Sequence, residues 1–175
     1  QVSPLAFFQV NNEQTKKLYD LVKQALGDDD KAILDAYCGT GSIAIYIANH
    51  HQKVVGLEIY PESIEDAKRN AMLNDIYNTE FYQGACEKVI QNLAGNFDAI
   101  ILDPPRAGCH KDLLEKIAEK GIEKIIYVSC NPATLARDIK ILSGLSYKVK
   151  WVQPVDMFPQ TYHVETVVLI TRTKD

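Results

Sequence analysis

Ala32-Ile-Leu-Asp-Ala-Tyr-Cys-Gly-Thr-Gly-Ser-Ile-Ala44 is the stretch on which the fold turns. Ala32 to Tyr37 is a short apolar run of strand length, and Ile43, Ala44, Ile47 and Ala48 recur at helical spacing after it. Between them, Gly39 and Gly41 let the backbone approach a ligand closely where the next helix begins, and a helix N-terminus favours negative charge. Gly39-x-Gly41-x-x-Ala44 fits the loose form of the dinucleotide fingerprint.

Downstream, Lys53 to Ile59 reads as a second strand, and Glu58 stands 17 positions after Gly41. That is near the roughly 20 expected for an acid that accepts bonds from ribose hydroxyls, so turn and acid together predict a nucleoside-containing cofactor without saying which. Pro61 opens a helix to about Asn74 that sets Ile64, Ala67, Lys68, Ala71 and Met72 on one side. A third strand is expected over Glu80 to Gly84, then a helix from Glu87 to Leu93. Phe97 to Asp103 is nearly continuous in apolar residues, the mark of a strand covered on both faces, and it stops at Pro104-Pro105.

Further on, a helix near Lys111 to Lys120 closes at Gly121, and Lys124 to Ser129 is a fifth strand. Asn131 caps a helix that starts at Pro132 and turns Leu135, Ile139 and Leu142 to the core. Lys148 to Phe158 and Val164 to Thr171 make a final strand pair around Pro159. Upstream, Asn11 with Gln14 resembles a capping box for a helix carrying Leu18, Leu21, Val22, Ala25 and Leu26, with Gly27 as a stop. Five strands alternating with helices, then a hairpin, predict an α/β fold: a mostly parallel, doubly wound seven-stranded sheet with a C-terminal antiparallel hairpin.

Composition narrows the function. A chain of 175 residues with 46% hydrophobic content makes one compact domain, expected to be monomeric. No apolar run approaches the roughly 18 to 20 residues of a membrane span, and the first residues, Gln1-Val-Ser-Pro-Leu-Ala, carry no export signal, so a cytoplasmic protein is expected. Cys38, Cys86, Cys109 and Cys130 form no C-x-x-C pair and no Cys/His cluster of metal spacing. No metal site is predicted, and free thiols suit a reducing compartment. A net charge of −4 is a poor footprint for gripping a polyanion, so if the substrate is nucleic acid, much of the grip is expected elsewhere. The absent initiator methionine suggests a piece of a longer protein.

Two cofactors compete for the glycine turn. A nicotinamide dehydrogenase needs a general acid against its hydride acceptor and leaves Asp103-Pro104-Pro105 beside a strand-end cysteine unexplained. S-adenosylmethionine has a ribose for Glu58, no pyrophosphate to demand a third glycine, and a methyl that needs only an aligned nucleophile. The downstream residues favour the methyl donor.

Five stretches then carry a family resemblance over essentially the whole chain: Phe7-Phe-Gln-Val-Asn11, Asp35-Ala-Tyr-Cys-Gly-Thr-Gly41, Asp103-Pro-Pro-Arg-Ala-Gly108, Val128-Ser-Cys-Asn-Pro132 and Phe158-Pro-Gln-Thr-Tyr-His-Val-Glu165. Together they resemble the catalytic domain of the RNA uracil-5-methyltransferases, which have a Rossmann-like class I methyltransferase fold and make 5-methyluridine in ribosomal or transfer RNA. The resemblance implies that residues 1–175 are the S-adenosylmethionine-dependent catalytic domain of such an enzyme without its N-terminal RNA-binding domain. It implies a cofactor site of Gln9, Tyr37, Glu58 and Asp103 with the glycine turn of Gly39 and Gly41. Cys130 is then the nucleophile, Glu165 the proton acceptor and Asp103 the residue that orients the ring. RNA is the implied partner, 23S rRNA first and transfer RNA second, with a cofactor-binding module inactive by itself as the alternative. Gln160 departs from the resemblance, because many relatives carry His there.

The chemistry explains these residue types. Carbon 5 of uracil is too weak a nucleophile to take a methyl unaided, and a thiolate added at carbon 6 makes it electron-rich. Cysteine both attacks and leaves well. The helix starting at Pro132 is expected to point its positive end at Cys130, worth about 0.3 to 1 kcal/mol toward the anion. Glu165, at the start of an apolar strand, is expected to be partly desolvated and therefore a stronger base. Regular strand alternation turns His163 to the opposite face from a base role. Arg106 occupies the slot where enzymes that methylate exocyclic amines carry an aromatic, and Cys109 is expected to be inert.

Overall fold

The computed structural model describes residues 11–173. Gln9 and most of the Phe7-to-Asn11 stretch lie outside the described residues. In chain order the elements are α1 (Asn12–Ala25), β1 (Ala32–Ala36), α2 (Ser42–Ala48), β2 (Lys53–Glu58), α3 (Pro61–Leu73), β3 (Thr79–Gln83), α4 (Cys86–Val89), β4 (Ala99–Leu102), α5 (Lys111–Glu119), β5 (Lys124–Ser129), α6 (Pro132–Gly144), β6 (Tyr147–Val155) and β7 (Glu165–Arg172). The strands form one seven-stranded sheet in the order β3-β2-β1-β4-β5-β7-β6. β7 runs antiparallel to both its neighbours and the other pairs are parallel. The doubly wound sheet with its C-terminal hairpin is therefore present as expected.

Alternation along the strands builds two cores. Ile33, Val54, Ala99, Ile101 and Val128 point to the side covered by α1, α2 and α3. Leu34, Val55, Ile100, Leu102 and Tyr127 point to the side covered by α4, α5 and α6. Central strands buried on both faces need apolar residues at every position, which is why Phe97 to Leu102 reads as a continuous run.

Several boundaries differ from the sequence reading. β4 begins at Ala99 because the Asp98 carboxylate turns back to accept the Lys31 and Ala32 amides, at 2.7 and 2.8 Å. The expected helix over Glu87 to Leu93 divides into the four-residue α4 and a 3-10 turn at Ile90–Asn92. In α3 the buried stripe is Ser63, Ile64, Asp66, Ala67 and Ala71, while Lys68 and Met72 are exposed. The stripe is set by the close approach of Ala67 to the glycine turn, where a Cβ on Gly41 would lie 3.0 Å from the Ala67 Cβ. Asn11 caps α1 through the Gln14 amide, and its side-chain amide also bonds the Met157 carbonyl, tying the start of α1 to the end of the sheet.

Candidate active site

β1 pairs with β2 on one side and β4 on the other, so the chain reverses direction across the sheet at this strand. The carboxyl ends of strands at such a reversal are where open α/β sheets bind ligands. Here the turn after β1 holds three residues in the left-handed region, Tyr37 at φ 65°, Gly39 at 53° and Gly41 at 77°. For a tyrosine that conformation costs roughly 1 kcal/mol or more, and the surroundings must hold it. Those surroundings include the Cys38 amide on the Leu57 carbonyl at 2.9 Å and the Asp35 carboxylate accepting the Ala44 amide at 3.0 Å, which joins strand end to helix start. Gly39 is open on its Cβ side, with nothing within 4 Å.

Glu58 is buried, not a solvated strand end. One of its oxygens accepts the Gly39 amide at 3.1 Å, and the other accepts the Ile59 and Tyr60 amides at 2.7 and 3.1 Å. The acid thus braces the glycine turn from the neighbouring strand. Beside it lies a cavity of about 650 Å³ whose lining includes Tyr37, Ile59, Ala85, Cys86, Cys109 and Arg137. Gly84, Ala85 and Cys86 follow β3 at the same edge, and the Gly84 amide bonds the Glu58 carbonyl at 2.8 Å.

The other half of the site is built by β5, β7 and α6. The last β5–β7 pair is Ser129 with Thr166, so Cys130 and Glu165 face each other one step further on. Cys130 is half-buried and Glu165 is 6% exposed. Ser129 shares both its hydroxyl bonds with the Asn131 backbone, each at 3.1 Å, and Asn131 caps α6 by accepting the Ala133 amide at 3.0 Å. The Asn131 side chain also donates to the Arg106 carbonyl at 3.1 Å, where the Thr134 hydroxyl joins it at 3.2 Å. The loop after Asp103-Pro-Pro is in this way latched to the residue that follows Cys130.

A second anchor of that loop was not legible as a functional feature. Asp138 is 0% exposed, and one carboxylate oxygen accepts the Tyr127 hydroxyl at 2.6 Å and the Cys109 amide at 2.8 Å. Arg137 bonds the other oxygen at 2.8 Å and reaches the Ala107 and Cys109 carbonyls at 2.9 and 3.2 Å. The only sequence signal is an acid interrupting the buried stripe of Leu135 and Leu142.

Electrostatics join the two halves. Burial pushes the Asp35 carboxyl up to about 8, with Asp103 and Glu58 adding to it. Asp103 is pushed up to about 7 by burial and then by Glu165. Glu165 is itself raised by burial, with Arg106 opposing, which agrees with the expected partial desolvation. The Cys130 thiol is raised by burial and by the Glu165 and Asp103 carboxyls, while Arg106 pulls it down. The thiol is thus shifted away from the anion, with Arg106 opposing burial and the two carboxyls. Cys109 and Cys86 are buried and pushed up to about 12, so neither is a ready nucleophile. His163 sits in the loop before β7, its ring tilted against Tyr162 at 4.1 Å. Gln160 is exposed with φ at 67°. Among the described residues no group of three or more His, Cys, Asp or Glu is placed to hold a metal ion, and no helix is long and apolar enough to cross a membrane.

Comparison with known proteins gives a consistent result. The family model described as tRNA (uracil-5-)-methyltransferase matches residues 2–173. An uncharacterized RNA methyltransferase of Bacillus cereus is 50% identical over 177 residues, covering 99% of this chain and 38% of that protein. One from Clostridium acetobutylicum is 51% identical over 175 residues, with 98% and 38% covered. The chain thus spans about two fifths of the length of these relatives. Among solved structures, the Pyrococcus abyssi tRNA (uracil-54, C5)-methyltransferase in complex with S-adenosyl-L-homocysteine matches with a TM-score of 0.86 at 36% identity, over 96% of this chain and 41% of that one. Precorrin-6y C5,15-methyltransferase of Geobacter metallireducens matches with a TM-score of 0.81 at 13% identity, over 99% and 94%, a likeness of fold alone. The fold is that of the class I methyltransferases, and with the family model covering nearly its full length, this chain belongs to the tRNA (uracil-5-)-methyltransferase family.

Proposed function

We propose that residues 1–175 are a catalytic domain that methylates carbon 5 of a uridine in RNA, with S-adenosylmethionine as methyl donor, in the cytoplasm and as a monomer. The observation that carries this reading is the placement of Cys130 opposite Glu165 at the sheet edge that also holds the glycine turn. Asp35 next to the end of β1, Glu58 at the end of β2, Asp103 just after β4 and Glu165 at the start of β7 lie along that edge, and the Asp35 Oδ1 atom is buried without a hydrogen-bond partner. A carboxyl cluster so short of cations fits a cofactor that carries an ammonium and a sulfonium.

Glu58 would take the ribose hydroxyls, Tyr37 and Gly39 would border the nucleoside, and Asp103 would orient the ring; Gln9 completes the set on the family resemblance. When bound, S-adenosylmethionine supplies an activated methyl for carbon 5. The Cys130 thiolate adds to carbon 6, and the carbon 5–carbon 6 π pair moves onto the ring as an enolate. Once carbon 5 carries the methyl, Glu165 removes its proton. The released pair restores the double bond and expels the Cys130 thiolate. Arg106 offsets the negative charge on both groups.

The test is covalent trapping by the full-length protein on RNA containing 5-fluorouridine, whose fluorine cannot leave as a proton. An adduct that still forms in Cys130→Ala removes this reading. For the RNA itself, 23S rRNA is proposed first. Transfer RNA is the second reading, favoured by the similarity to the Pyrococcus abyssi tRNA (uracil-54, C5)-methyltransferase. Mapping 5-methyluridine in cells that lack the gene separates them: loss from transfer RNA alone overturns the ribosomal assignment.

A further inference from the structure

Tyr162 is the most exposed large hydrophobic side chain among the described residues, at 90%. It sits three residues before Glu165, in the loop that leads into β7. Its ring is not loose decoration. It lies tilted against His163 at 4.1 Å, and His163 meets Phe158 edge-on at 6.3 Å, so aromatic rings lead from the core outward to Tyr162.

The loop beneath is tied at several points. The Thr161 amide and hydroxyl both bond the Phe158 carbonyl, at 3.2 and 2.7 Å. The His163 amide bonds the Thr161 hydroxyl at 3.2 Å, and Asn11 holds the Met157 carbonyl at 3.1 Å. Tyr77 and Tyr82, also exposed, turn their hydroxyls onto Asp75 and Glu80. Tyr162 makes no such bond among the described residues, so its hydroxyl and the part of its ring turned away from His163 are open.

A rigid aromatic ring held out into water beside a proposed base-modifying site has one natural occupant, the flat face of another base. Stacking accepts any base because each presents a π face, and it needs no positive charge, which suits a chain of net charge −4. We propose that Tyr162 is a stacking platform for a nucleobase of the RNA next to the uridine presented to Cys130. This rests on the RNA reading above.

The experiment measures binding of a fluorescein-labelled single-stranded uridine dodecamer to the full-length protein by anisotropy, at low and moderate salt. Tyr162→Phe should bind within about twofold of wild type, and Tyr162→Ala about 5- to 100-fold more weakly at both salt concentrations. Thermal midpoint and S-adenosylmethionine affinity should not change in either variant. Wild-type affinity in Tyr162→Ala, a loss that Tyr162→Phe reproduces, a parallel fall in cofactor affinity, or no binding by the wild type overturns the platform. Trapping on 5-fluorouridine RNA with and without Cys130 is read separately, so failure of the covalent mechanism is not confused with failure of the platform.

Discussion

Cys130 and Glu165 stand opposite one another one step beyond the Ser129–Thr166 pair of β5 and β7, and the raised Cys130 thiol feels the Glu165 carboxyl directly. In the proposed reaction, that placement would let Cys130 add at carbon 6 while Glu165 takes the proton from carbon 5 of the same ring.

Cys130→Ala should remove methylation and adduct formation together, by about a thousandfold or more, because the other three cysteines are buried. Glu165→Gln should methylate once and then hold the RNA, so that adduct accumulates on ordinary uridine. Gel-shifted protein under denaturing conditions reads both outcomes.

The proposed roles require Cys130 and Glu165 both to be anions, and both are shifted up. Activity should therefore rise with pH on its acid limb. Arg106→Ala removes the charge that lowers both, and should move that limb to higher pH, while Arg106→Lys keeps most of it. Alkylation of Cys130 by iodoacetamide as a function of pH checks the thiol alone, since Cys38, Cys86 and Cys109 are buried. An unmoved alkylation curve in Arg106→Ala removes the electrostatic role.

Asp35 carries a stability consequence. Its carboxyl titrates near 4 in an unfolded chain and is held up to about 8 in the fold. Between those values the native state binds the extra proton, so the contribution of Asp35 is complete below the lower value and is lost as pH rises through the upper one. Asp35→Asn keeps an acceptor for the Ala44 amide and should flatten this decline, by an amount on the order of a few kcal/mol at pH 8. Urea unfolding of the cofactor-free protein across pH 5 to about 9 measures it; equal slopes in the two proteins contradict the assignment.

Asp138→Ala strands the Tyr127 hydroxyl, the Cys109 amide and part of Arg137, and should destabilise by about 3 to 5 kcal/mol. Tyr127→Phe, which removes a single donor, should cost only about 1 to 2 kcal/mol. Comparable losses in the two variants mean that the loop is not anchored through Asp138.

Gly56 has a purely steric task. A Cβ there would come within 2.5 Å of the Phe81 ring and 2.8 Å of the Cys38 sulfur. Gly56→Ala should lower stability by roughly 1 to 3 kcal/mol and weaken cofactor binding by displacing the turn at Cys38. Adding Phe81→Leu should recover part of the loss.

The sequence by itself determined the alternation of strands and helices, the turn at Gly39 and Gly41 and the acid at Glu58, and it singled out Cys130 and Glu165 as the candidate nucleophile and base. Those are local matters of periodicity, caps and residue chemistry, and five ordered motifs made the family recognisable. Only the tertiary structure decided that Cys130 and Glu165 stand at one sheet edge, one step beyond the Ser129–Thr166 pair, because a cross-strand register between residues 35 positions apart is set by core packing and not by neighbours in the chain. It also decided the sign of the thiol shift, the burial of Asp35 and Asp138 and the exposure of Tyr162. Desolvation and Coulomb interaction depend on which groups are brought together in space, and that is absent from any single stretch of the chain.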